Sequence, residues 1–141
     1  MSLPLYSVVY VSRPAVVLSP FDIVAIVESS RRRNEADAIT GALFCTARTF
    51  LQVLEGPRAV LNVTFTRIVR DPRQHAVQLL RYGRLGDRAF PGWHMRSVTV
   101  REAVAMRFDA LHDEEIEDDE LEELLSTLDD SSGGRWIASP T

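Results

Sequence analysis

Hydrophobic positions along this chain fall into short continuous runs separated by stretches of helical spacing. Leu3 to Ser12 (LPLYSVVYVS) is rich in Val and Tyr and ends at Arg13-Pro14, the pattern of a buried strand followed by a break. Ser19 then stands as an N-cap before Pro20, with Asp22 in the first turn. Ile23, Ile26, Val27 and Ser30 recur at three- and four-residue spacing, which predicts a helix ending near the Arg31-Arg32-Arg33-Asn34 run. Ala38 to Thr46 and Thr49 to Glu55 read as two strands of a hairpin, stopped by Gly56-Pro57. A second helix fits Arg58 to Arg70, with Val60, Leu61, Phe65, Ile68 and Val69 on its apolar side. Two further strands are predicted near Ala76 to Leu85 and Trp93 to Val100.

That order predicts an α/β (α+β) fold, a ferredoxin-like βαββαββ sandwich: a five-stranded mixed sheet with two helices on one face. After Arg101 the spacing turns helical again. Val104, Phe108 and Leu111 share one face, and Ile116, Leu121, Leu124, Leu125 and Leu128 form a second amphipathic stripe. The chain thus divides into a domain at residues 1–100, an acidic helical extension at 101–130 and a loose tail at 131–141 that begins Ser-Ser-Gly-Gly.

Composition sharpens this picture in two places. The 141 residues, 45% of them hydrophobic, suffice for one core without staples, and the lone Cys45 has no partner in the chain. No run approaches a membrane span and no positive segment precedes an apolar one at the N-terminus, so a cytoplasmic location is expected. The net charge of −4 hides an asymmetry: residues 1–108 carry fifteen Arg against eight acids, and 109–141 one Arg against twelve acids. An acidic total argues against nucleic acid, while the basic body suits an anionic ligand.

Phosphate-binding glycine loops, a GxSxG elbow, HExxH and paired cysteines are all missing, and His75, His94 and His112 lack metal-site spacing. Four features exceed what a plain core needs: Tyr10 within the first strand, Asn34 at the end of the first helix, Gln52 inside an apolar strand, and Trp93 with Met95 in the last. Period two places Phe50, Gln52 and Leu54 on one face, so Gln52 is buried and must find polar partners; Tyr10 is a candidate donor.

Tyr10-Val11-Ser12, Ser30 with Asn34, Ile39-Thr40-Gly41, Phe50-Leu51-Gln52-Val53-Leu54-Glu55-Gly56, Arg70-Asp71-Pro72-Arg73 and Phe90-Pro91-Gly92-Trp93-His94-Met95 occur in order and nearly without gaps. This series resembles the BLUF family of flavin-using blue-light sensors, over about residues 3 to 100. The resemblance implies non-covalently bound FAD, with FMN or riboflavin as alternatives. It makes Tyr10 the photochemical donor and Gln52 the switch whose amide rewires its bonds. It implies that Asn34 anchors the polar edge of the flavin, that Ile26, Ser30, Leu43, Phe50 and Ile68 complete the pocket, and that Arg70 and Arg73 meet the phosphate. Trp93 and Met95 would report the switch. Arg33 departs from the smaller polar or imidazole side chain usual beside Asn34, and either points to solvent or donates to the flavin.

The reading that follows is a photosensory module without catalytic output of its own, signalling to a separate, unidentified protein and forming a homo-oligomer, dimer or larger. Its rivals are a light-inactive flavin-binding or interaction module and an enzyme, a small flavin-dependent reductase or a cofactor-free ferredoxin-like isomerase, with Tyr10 as acid.

Overall fold

The computed structural model describes residues 3–100, 102–113 and 115–126. The elements run β1 (Leu5–Pro14), α1 (Pro20–Ala36), β2 (Thr40–Cys45), β3 (Phe50–Pro57), α2 (Arg58–Val69), β4 (Gln74–Leu85), β5 (Ser97–Thr99), α3 (Glu102–Ala110) and α4 (Asp118–Ser126). The sheet order is β4-β1-β3-β2-β5. The first four strands pair antiparallel and β5 joins β2 in parallel, which makes the sheet mixed, as the element order predicts.

Local chemistry sets the boundaries. Ser19 and Asp22 form a reciprocal capping box ahead of Pro20, which fixes the start of α1. Gly41 runs so close to β3 that a Cβ would sit 1.9 Å from the Val53 carbonyl oxygen, so only glycine fits. The strand predicted from Trp93 to Val100 is shorter than its hydrophobic run, because Ser97–Thr99 alone is regular.

Strand alternation gives the sheet two buried faces. Val8, Tyr10, Leu43, Phe50 and Leu54 face α1 and α2, together with Leu61, Phe65 and Ile68 of α2. Val9, Val11, Ala42, Phe44, Leu51 and Val53 face the other way, where Phe108, Leu111, Leu121, Leu124 and Leu125 cover them. The α3 and α4 stripes are therefore buried against the sheet. Val69 departs from its predicted place on the apolar side of α2 and is 49% exposed. Leu128 and the tail at 131–141 lie outside the described residues.

Candidate functional site

The α1/α2 face of the sheet holds a cleft. Cross-strand register aligns Tyr10 of β1, Gln52 of β3 and Leu43 of β2 in one row across its floor. Gln52 is buried, as period two requires, and both ends of its amide are engaged. The Tyr10 hydroxyl donates to Oε1, and Nε2 donates to the Met95 sulfur at 3.4 Å. Burial pushes the Tyr10 phenol well above its ordinary value; the Gln74 amide opposes this and the Asp71 carboxylate adds to it.

The cleft comprises two adjoining cavities of about 50 Å³ each. Ser30, Asn34, Gln52, Ile68 and Arg73 line the first with Arg33 at its edge, while Tyr10, Ile26, Leu43 and Phe50 line the second. Asn34, the only buried residue of α1, donates its Nδ2 to the His94 carbonyl at 2.7 Å and so ties α1 to the segment carrying Met95. Arg33 donates to Ser29 on its own helix at 2.9 Å. Arg73 pairs with Asp71 through Nε, 3.0 Å from each carboxylate oxygen, and Nη2, 2.6 Å from one of them, and these bonds hold the Asp71 carboxyl below its ordinary value.

Two sequence-predicted residues stand apart from this cleft. Arg70 caps α2 and lies along the outer groove with Asn62, Val63 and Thr66. Arg67, one turn earlier, lines both that groove and the cleft. Trp93 packs on the opposite face, its ring centroid 5.5 Å from that of Phe90 and its ring covered by the Arg96 guanidinium at 4.5 Å. Met95 alone of that pair reaches Gln52.

Sequence reasoning passed over Leu54, Thr64, Arg67, Asp71 and Gln74, all of which line the cleft. Thr64 carried a signal: it lies three residues after Leu61 and four before Ile68, on the apolar stripe of α2. Its buried hydroxyl has no hydrogen-bond partner. A buried orphan donor, the Asn34 and Gln52 amides, apolar walls and guanidinium groups at the mouth suit a flat apolar ring with a polar rim and an anionic tail.

Residues 5–96 match the family model described as BLUF, sensors of blue-light using FAD. The chain belongs to the BLUF family. It is 36% identical over 97 residues to photoactivated adenylate cyclase subunit beta of Euglena gracilis, covering 67% of this chain and 11% of that one. The chain thus spans about a tenth of the length of the curated relatives it matches. Among solved structures, the dark state of the BLUF protein BlrB is 34% identical with a TM-score of 0.68, covering 78% of this chain and 83% of that one. The photo-activated state of BlsA, 22% identical with a TM-score of 0.75 over 88% of this chain and 94% of that one, shares the fold. BLUF domains are flavin-using sensory modules, and no helix among the described residues is long and apolar enough to cross a membrane.

Proposed function

We propose that this chain is a blue-light photoreceptor that holds FAD non-covalently between α1 and α2 and switches through Tyr10 and Gln52. The observation that carries this reading is the buried relay from the Tyr10 hydroxyl through the Gln52 amide to the Met95 sulfur. Bound flavin supplies the chromophore and, once excited, the electron acceptor.

Asn34, Ser30 and the orphan Thr64 hydroxyl hold the polar rim of the ring, and Ile26, Leu43, Phe50 and Ile68 pack its faces. Arg67 takes the anionic tail with Arg73, in place of Arg70. Tyr10 gives up an electron and its phenolic proton and takes both back. Rotation of Gln52 turns Nε2 toward the Tyr10 oxygen and Oε1 toward the Met95 sulfur. Two acceptors then face each other, the Gln52–Met95 hydrogen bond is lost, and the 93–96 segment shifts. The output passes to a separate protein, and the similarity to a photoactivated adenylate cyclase subunit makes a nucleotide cyclase one class of output to test.

The test is the visible spectrum before and after blue illumination. A reversible red shift supports the reading; bound flavin with a light-insensitive spectrum overturns it in favour of a passive binding module. Gln52→Leu keeps the volume and removes both ends of the amide. It is expected to bind flavin and lose the shift, and a normal photocycle in that variant refutes the switch.

A further inference from the structure

Glu55 is the one acidic side chain fully closed off from solvent among the described residues. It lies three residues along β3 from Gln52 and, by the pleat, on the opposite face of the sheet. Its Oε1 accepts the Thr40 hydroxyl at 2.9 Å and the Phe90 N–H at 3.0 Å, while Oε2 accepts the Ala89 N–H at 2.7 Å. Arg88 closes the cluster, donating to Thr40 Oγ1 at 2.8 Å, to the Glu55 carbonyl at 3.2 Å and to the Ala38 carbonyl at 2.8 Å. Burial pushes the Glu55 carboxyl up, and these donors and Arg88 oppose the rise.

The bonds hang residues 88–90 from the strand that carries Gln52. The chain is pinned again where Gly41 N–H donates to the Trp93 carbonyl at 2.8 Å and Asn34 to that of His94. It then delivers Met95 to Gln52. Both partners of the Gln52–Met95 contact are thereby referenced to β3, Gln52 directly and Met95 through the Glu55 carboxylate.

We propose that Glu55 is a positioning residue of the light response: by fixing residues 88–90 to β3 it sets the barrier that Met95 crosses to return to Gln52 after illumination. This rests on the reading of Gln52 as the switch. A glutamine at position 55 keeps the size but accepts at one oxygen only, so one of the N–H or O–H donors then faces an NH₂ group. The segment is held less firmly, and the return of Met95 becomes easier.

The experiment uses the full chain loaded with FAD and follows dark recovery after a blue pulse in Glu55→Gln. Arg88→Met, which keeps the aliphatic stem of a partly exposed side chain, serves as the second variant and decides the matter where Glu55→Gln fails to fold. Both are expected to bind FAD and to show the full red shift. Recovery is expected to be about tenfold faster, with faster amide exchange over residues 89–96. Recovery within about twofold of wild type, with the red shift intact, overturns the proposal even where stability falls, since that is the mark of a purely structural carboxylate. No red shift in the wild-type chain overturns the switch reading itself, an outcome distinct from an unchanged recovery rate.

Discussion

A single hydroxyl, that of Tyr10, joins two strands and ionises far less readily than a free phenol. Its pKa is raised from the ordinary 10 by burial, with the Gln74 amide opposing and Asp71 adding to the rise. The unfolded chain loses this proton near pH 10 while the folded chain keeps it, so above about pH 10 the unfolded state binds fewer protons. Stability contributed by the neutral phenol is complete below that pH and declines as pH rises through it. Denaturant midpoints between about pH 9 and 11 are expected to fall more steeply in wild type than in Tyr10→Phe; equal slopes would contradict the assignment. Sequence alone made this pair legible because Gln52 interrupts an apolar strand at period two. Thr64 broke an apolar stripe in the same way, but helical spacing spreads a stripe over three positions in seven, and one hydroxyl stands out less there than an amide in a strand. Arg67, Asp71 and Gln74 gave no such sign, because their side chains meet only where the end of α2 turns back into β4.

Elements show where alternation fails. Strict period two would put Trp93 and Met95 on one face, yet they lie on opposite faces. The cause is an extra residue: Gly41 N–H bonds the Trp93 carbonyl and Leu43 N–H that of Arg96, so two steps along β2 match three along its neighbour. The helical extension was legible in its stripes, but the polar contacts that dock it were not. α3 docks through a polar cluster in which the Asp109 carboxylate accepts the Thr46 and Thr49 hydroxyls at 2.8 and 2.7 Å. Thr49, having given its proton to Asp109, accepts from His112 Nε2 at 3.0 Å. The neutral ring therefore carries its hydrogen on Nε2, and Nδ1 is buried without a partner. Burial lowers the His112 pKa below 6.5, and Arg13 and His75 lower it further against the opposing pull of Asp113 and Asp109. Below about pH 6.5 the unfolded chain takes up a proton that the folded one refuses, so α3 docking weakens as pH falls. Amide exchange in residues 104–112 is expected to accelerate relative to the β1 core between about pH 7 and 5, and pH-independent protection would refute this.

The molecule as a whole is a sheet with a core on each side, and the two cores share strands. Val9, Val11, Leu51 and Val53 alternate with Tyr10 and Gln52, so the layer under α3 and α4 and the cleft under α1 and α2 are two faces of the same backbone. Charge assists this closure: Arg81 of the basic body meets Glu122 of acidic α4 at 2.5 Å, a partly buried ion pair. The weight rests on Leu121, Leu124 and Leu125, each no more than 1% exposed. Leu125→Ala is expected to cost about 2–5 kcal/mol, read from denaturant midpoints, because it leaves a cavity against the sheet. A loss below about 0.5 kcal/mol would show that α4 is not part of the core. The same variant bears on signalling. Loosening α4 frees the face on which Trp93 packs, and Trp93 is two residues from Met95, so dark recovery in Leu125→Ala is expected to change although the substitution lies across the sheet from the cleft. Recovery identical to wild type would mean that the sheet insulates its two faces, and that a partner must read the light state from the α1/α2 side.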